Sequence, residues 1–304
     1  MANANACDVI VIGAGPAGLS AALQLGRCNR ATLVIDAGAP RNAMVRASHG
    51  FFTRDGESPS TLRAIGREQA KGYGVRFVGA TATRAWPARP RGFAVQCADG
   101  RVFQARALVL ATGVREILPD VPGMTELYGR GVFPCPMCEG FEHTNTALGA
   151  FGADAWAVQT AVNLRTWSQQ VTLYANGATL SRDHAARLRR AGVDVCAGRV
   201  VELWRDRVTP RLVAVATEHN PWPCDALFVP TRFEQASDLP RQLGCVVTAG
   251  GTLATTADGA QTSVQYVYAA GDADGGIPWI SQAAASGARA GVMAHAGLLE
   301  LDYP

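Results

Sequence analysis

The sequence has 304 residues, 48% of them hydrophobic, and a formal net charge of +3. That length and apolar content allow two medium domains with sizeable cores, and the charge is too small to point to nucleic acid or an anionic membrane as a partner. No apolar run approaches the length of a membrane span, and the start from Met1 to Cys7 lacks the basic and apolar regions of a signal peptide, so a cytoplasmic protein is expected.

Asp8 to Ile12 is a β-branched run that reads as a buried strand. It enters Gly13-Ala14-Gly15-Pro16-Ala17-Gly18, and Leu19 to Gly26 then reads as an Ala/Leu-rich helix. Ala31 to Ile35 is the next strand and ends at Asp36. This is a βαβ unit with a G-x-G-x-x-G turn and an acid at the expected distance. Gly13 permits the bend, Gly15 lets a backbone approach a pyrophosphate, and Gly18 lets helix and strand pack closely. The helix N-terminus faces the phosphates, and Asp36 can accept from a ribose hydroxyl. A glycine-rich turn without a ligand is the alternative. Pro40 begins a loop that gives way to a helix over about 59–72. Strands follow over 75–78, 93–97 and 101–103, with a turn at Asp99-Gly100. Ala107 to Leu110 is a further buried strand, closing at Ala111-Thr112-Gly113.

Pro119 to Gly123 reads as a linker. A second α/β stretch has strands over 146–151, 171–174, 193–196 and 226–230, helices over 155–166 and 181–191, and a hairpin over 200–204 and 212–217. After about Asp238 a strand over 264–269 ends in Gly271-Asp272, and a small-residue helix spans about 279–299. The expected architecture is α/β with two Rossmann-like dinucleotide-binding domains. The second, residues 119–240, is inserted into the first, residues 1–118 and 241–304.

Of the eight cysteines only Cys135 and Cys138 share a recognisable spacing. A Cys-x-x-Cys pair cycles readily between dithiol and disulfide. A zinc half-site is the alternative, but no second pair supplies the missing ligands, so no metal is expected. Cys7, Cys28, Cys97, Cys196, Cys224 and Cys245 read as buried small hydrophobes.

Gly13-x-Gly15-x-x-Gly18, Ala111-Thr112-Gly113, Cys135-x-x-Cys138 and Ala269-Ala270-Gly271-Asp272, in this order and at these separations, resemble the low-molecular-weight thioredoxin reductases over nearly the whole chain. Arg41-Asn42, His49-Gly50-Phe51, Arg54-Asp55-Gly56, Leu118 to Gly123 and Cys138 to Glu142 are similar to one branch, the FAD-dependent dithiol oxidases that close disulfides in natural products such as gliotoxin, holomycin and FK228. The resemblance implies FAD in the first domain, an insert that ancestrally bound NADPH, and a homodimer. It implies that Gly13, Ala14, Gly15, Pro16, Ala17 and Gly18 hold the FAD pyrophosphate and that Asp36 and Ala37 meet the adenosine ribose. By the same resemblance Arg41 and Asn42 lie along the cofactor, and Ala111, Thr112 and Gly113 pass near it. Gly271 and Asp272 meet the ribityl chain or phosphate, and Gln282 and Ala283 meet the flavin ring. Ser281 stands where the reductases carry a basic residue. Cys138 would face the flavin and Cys135 the substrate. Glu139, His49 and His143 are candidates for proton transfer, each against a plain surface or turn role.

A nicotinamide site would need G-x-G-x-x-A where this chain has Gly152-Ala153-Asp154-Ala155-Trp156-Ala157. Asp154 blocks a pyrophosphate and repels it. Two like charges about 4 Å apart at an effective dielectric near 20 cost roughly 4 kcal/mol, about a thousandfold in affinity. The next turn, Tyr174 to Thr179, lacks the arginines a 2′-phosphate needs, and the first basic residue is Arg182. The expectation is therefore a dithiol oxidase that takes electrons from a small-molecule dithiol, delivers them to O2 and needs no NADP(H). A thioredoxin reductase fed by ferredoxin or another flavin, an NADPH-dependent reductase, and a flavin-bound redox sensor are the alternatives.

Overall fold

The computed structural model describes residues 6–89, 91–257 and 260–304. In chain order the elements begin with β1 (Ala6–Ile12), α1 (Pro16–Arg27), β2 (Thr32–Asp36), α2 (Pro59–Lys71), β3 (Arg76–Gly79), β4 (Ala82–Pro87), β5 (Phe93–Cys97), β6 (Val102–Leu110) and β7 (Val114–Ile117). They continue with α3 (Met124–Leu127), β8 (Val132–Phe133), α4 (Pro136–Glu139), β9 (Leu148–Phe151), α5 (Ala155–Leu164), β10 (Val171–Tyr174), α6 (Arg182–Ala191), β11 (Asp194–Cys196), β12 (Val200–Arg205), β13 (Leu212–Thr217), β14 (Pro221–Pro223) and β15 (Ala226–Phe228). The last are β16 (Arg232–Gln235), α7 (Leu239–Leu243), β17 (Val267–Ala269) and α8 (Ile280–Asp302).

The chain forms two compact units. One runs to Arg115 and resumes at Phe233, and the other is Glu116–Arg232. These changeovers fall inside β7 and β16, three residues before the break expected at 118/119 and eight before the one expected at 240/241. The Pro/Gly signal at Pro119 to Gly123 lies just after the strand that carries the crossing.

In the first unit the sheet order is β3-β2-β1-β6-β5-β4, and β17 also pairs with β6. β1 is parallel to β2 and β6, whereas β4, β5 and β6 form an antiparallel meander. The parallel strands are buried on both faces, which is why they read as unbroken Val/Ile/Leu runs. Val9, Val11 and Val109 pack with α1 and α8 on one face, and Ile10, Leu33, Leu108 and Leu110 fill the other. β6 is one nine-residue strand where the sequence suggests two, because the polar residues Gln104 and Arg106 interrupt the apolar run without ending the ladder.

The second unit has a five-stranded parallel sheet, β11-β10-β9-β15-β8, and a separate antiparallel sheet, β12-β13-β14. Ser181 caps α6 through its side chain, and Gly192 ends that helix in the left-handed region at φ +67°. Among the described residues no helix is long and apolar enough to cross a membrane.

Candidate functional site

The first glycine loop is defined by what its residues exclude. Gly13 takes φ +103°, and a Cβ there would lie 2.3 Å from the Ala111 carbonyl oxygen. A Cβ on Gly18 would lie 1.9 Å from the Gly13 carbonyl oxygen. These two positions lock β1, α1 and the Ala111 turn together. Gly15 differs, with φ −73° and no atom within 4 Å of a Cβ built on it. Neither strain nor packing requires glycine at that position. The open space beside it is what the close approach of a pyrophosphate needs. Gly15 is also the N-cap of α1 and provides no side-chain cap, and Pro16 opens the helix. The unsatisfied N–H groups and the positive end of the helix therefore remain available to an anion.

Asp36 ends β2. Its Oδ1 accepts from the Ala14 N–H at 3.1 Å, while Oδ2 lies 3.2 Å from Arg67 Nη2 and 3.5 Å from Arg63 Nη2. Ala37 follows, exposed. Arg41 and Asp272 are brought together across the first unit: Arg41 Nε donates to Asp272 Oδ2 at 2.8 Å, and its Nη2 donates to the Pro278 carbonyl at 3.2 Å. Asn42 lies in the same short helical turn as Arg41, half-buried. Thr112 Oγ1 is buried and has no hydrogen-bond partner. Gly113 follows with φ +69°. Gln282 and Ala283 stand in the first turn of α8. An open cradle at Gly15, an uncapped helix, an orphaned hydroxyl at Thr112 and a fixed cation at Arg41 together fit FAD.

Two further residues shape this region and escaped sequence reasoning. Gly271 N–H donates to Ser286 Oγ at 3.1 Å, and Ser286 Oγ donates to Asp274 Oδ2 at 2.6 Å. Burial raises the Asp274 carboxyl pKa to about 6. The only sequence signal was an acid two places after Asp272 and a second serine in an Ala/Gly-rich helix.

The redox pair lies in the second unit. Cys135 and Cys138 are joined by a disulfide. Cys135 precedes α4, Pro136 opens it, and the Cys138 N–H donates to the Cys135 carbonyl at 3.2 Å. At the far end, a Cβ on Gly140 would lie 2.7 Å from the Trp167 ring, so Trp167 presses on the turn that carries the pair. Met137 and Phe141 flank the disulfide and are 64% and 79% exposed. Glu139 is the last residue of α4, half-buried. His143 lies one turn further on, with its ring centroid 5.3 Å from that of Phe133. Burial holds its pKa below the usual histidine value, and Asp225 and Glu142 oppose that shift. Burial thus favours the neutral imidazole, the form that accepts a proton. His49 belongs to the first unit, in a loop closed by pairing of Ser48 with Glu57, with Nδ1 3.9 Å from Asp55 Oδ1.

Five of the six remaining cysteines are held as neutral thiols by burial. Burial raises the thiol pKa of Cys7 and of Cys224 to about 12 and pushes up those of Cys97, Cys196 and Cys245. Cys7 and Cys28 are half-buried rather than buried, because one lies near the outer end of β1 and the other just past the end of α1.

The second glycine loop departs from the first at one decisive position. Gly152 supplies the bend at φ +118°. Asp154 is the N-cap of α5, and its Oδ1 accepts from the Ala157 N–H at 2.9 Å. The helix end that is open in the first unit is closed here by the chain's own carboxylate. In the following turn, Asn176 Oδ1 accepts from the Val200 N–H at 2.9 Å and is used up within the fold.

The family profile of the pyridine nucleotide-disulphide oxidoreductases matches residues 7–287. The thioredoxin reductase tcpT of Claviceps purpurea is 30% identical, over 98% of this chain and 96% of its own length. A probable thioredoxin reductase of Arthroderma benhamiae is 35% identical over 60% of this chain, an alignment that spans only 47% of that protein. The crystal structure of HlmI superposes with a TM-score of 0.90 at 34% identity, covering 99% of this chain and 95% of HlmI. The chain therefore belongs to the pyridine nucleotide-disulphide oxidoreductase family, as a thioredoxin reductase-like, FAD-binding disulfide oxidoreductase.

Proposed function

We propose that this protein is an FAD-dependent dithiol oxidase that closes a disulfide in a small-molecule or peptide-like dithiol, with O2 as electron acceptor. The observation that carries this reading is Asp154. A carboxylate bonded to the Ala157 N–H at 2.9 Å occupies the end of α5 that a nicotinamide pyrophosphate would need. The sequence resemblance to dithiol oxidases of natural-product assembly points the same way.

In the proposed cycle a substrate thiolate attacks Cys135 Sγ and breaks the bond to Cys138, which leaves as a thiolate. The substrate's second thiolate then attacks the substrate sulfur of the mixed disulfide and expels Cys135. The substrate has lost two electrons and two protons, and the cysteine pair has gained the electrons. The chemistry FAD supplies when bound is acceptance of that electron pair and its transfer to O2, giving H2O2. Gly13 to Gly18, Asp36, Arg41, Thr112 and Asp272 hold the cofactor. His143, neutral and five residues beyond Cys138, accepts a substrate proton, and Glu139 and His49 are further candidates. The enzyme acts as a cytoplasmic homodimer.

The test follows the visible flavin absorption without oxygen, adding excess NADPH first and a small dithiol second. The proposal expects the colour to survive NADPH, to bleach with the dithiol, and to return with peroxide when air is admitted. Prompt bleaching by NADPH would make the protein a nicotinamide-dependent reductase instead.

A further inference from the structure

We propose that Arg63 and Arg67 are positioning residues for the adenosine diphosphate end of FAD, acting by holding Asp36 and making the net charge of the cluster positive. Ser58 caps α2 by accepting from the Thr61 N–H at 3.1 Å, which sets the phase of the helix. Gly66 brings α2 onto α1, where a Cβ would lie 3.2 Å from Leu19 Cδ1. Arg63 and Arg67 stand one turn apart on either side of Gly66. Both reach Asp36 Oδ2, at 3.5 Å and 3.2 Å. The Arg67 guanidinium also lies 4.6 Å from the centroid of the Phe77 ring, which fixes it from the other side.

The consequence for the loop is electrostatic. Asp36 Oδ1 is bonded to the Ala14 N–H, so this carboxylate sits directly beside the glycine loop. An uncompensated carboxylate there would repel the FAD diphosphate, as Asp154 does in the second unit. Two guanidiniums around one carboxylate leave a surplus positive charge instead. Arg63 Nε is buried with no hydrogen-bond partner, which marks this cluster as built to meet a further acceptor. A ribose hydroxyl and the diphosphate of an adenine dinucleotide supply such groups. Asp36 is thereby held in one orientation for the ribose while the arginines carry the charge that favours the phosphates.

The experiment measures free flavin over the intact holoprotein by ultrafiltration and fluorescence, at low and high NaCl, with no turnover involved. Arg67→Met and Arg63→Gln are each expected to weaken FAD binding about tenfold at low salt and to flatten its salt dependence. Arg67→Lys, which keeps the charge, is expected to recover most of the affinity. Added ADP should displace FAD from the two weakened variants at about the same ADP-to-FAD ratio as from the parent, because ADP loses the same contacts. Affinity within twofold of the parent in both Arg63→Gln and Arg67→Met, or an unchanged salt dependence, would overturn the proposal. So would Arg67→Lys binding as weakly as Arg67→Met. Should Arg67→Met fail to fold, Arg63→Gln and Arg67→Lys still decide the matter. Because only cofactor retention is read, the result stands apart from whether the enzyme oxidises dithiols.

Discussion

At the scale of single residues, Asp154 has two roles that one substitution separates. As an N-cap it satisfies the Ala157 N–H. Asp154→Ala should therefore destabilise the protein by about 1 kcal/mol, a fall of roughly 2–4 °C in Tm. As a charge it repels a pyrophosphate, yet its removal should not restore reduction by NADPH, since the turn after β10 still lacks basic residues. Flavin bleaching by NADPH in that variant would show that Asp154 alone closes the site. Cys138→Ser should abolish reduction of the flavin by dithiol while FAD stays bound, and full turnover in the variant would remove the cysteine pair from the mechanism. Asp274 makes a pH-dependent case. Burial raises its pKa from 3.8 to about 6, so the folded protein holds that proton more tightly than the unfolded chain. Its contribution to stability is complete below the unfolded value and is lost as the pH rises through about 6. Asp274→Asn keeps a neutral acceptor for Ser286 without the titration. Its Tm advantage over the parent should grow by a few degrees between pH 4 and pH 7, and thermal unfolding at the two pH values checks this.

Among elements, α1 and α8 meet through small residues. A Cβ on Gly287 would lie 2.0 Å from the Ala17 carbonyl oxygen, and one on Gly291 would lie 2.7 Å from that of Ala21. Gly287→Ala should push the helices apart at a cost of about 1–3 kcal/mol and loosen the loop that Ala17 belongs to, visible as a lower Tm and weaker flavin retention. Elements with strong periodicity or burial were legible in the sequence. β5, β10 and β13 fall where their apolar and β-branched runs put them, and α2 and α6 begin at serine caps, followed by proline in α2 and by a charged turn in α6. β4 was not legible, because Ala82 to Pro87 alternates small, basic and aromatic residues at a sheet edge and ends in proline. α4 is a single turn and carries no periodic signal. In the candidate site, local motifs such as the glycine loop and the cysteine pair announce themselves, because their spacing in sequence is their geometry. The Arg41–Asp272 pair and the Arg63–Asp36–Arg67 cluster depend on contacts across 231, 27 and 31 positions, which no local pattern encodes.

For the molecule as a whole, the two units carry the same βαβ start, built twice with opposite endings. Gly13 and Gly152 make the same left-handed bend after a buried strand. Two residues later the first unit has Gly15, which leaves α1 uncapped, and the second has Asp154, which caps α5 itself. One position thus separates a loop whose helix end is left open from one whose helix end is closed by its own side chain. The comparison predicts the outcome of exchanging them. Gly15 has an ordinary φ of −73° and nothing within 4 Å of a Cβ, so Gly15→Asp introduces neither strain nor overlap. The new carboxylate can cap α1 as Asp154 caps α5, and thermal stability of the FAD-free fold should hold or rise by a few tenths of a kcal/mol. The cofactor should be lost, because the same charge now faces the FAD diphosphate at a cost of roughly 4 kcal/mol if the separation is about 4 Å. The expected product is a folded, colourless protein, read from the ratio of flavin to protein absorbance and from circular dichroism. A yellow Gly15→Asp protein with full flavin content would mean that the glycine is not where the pyrophosphate passes, and the same argument would then fail at Asp154.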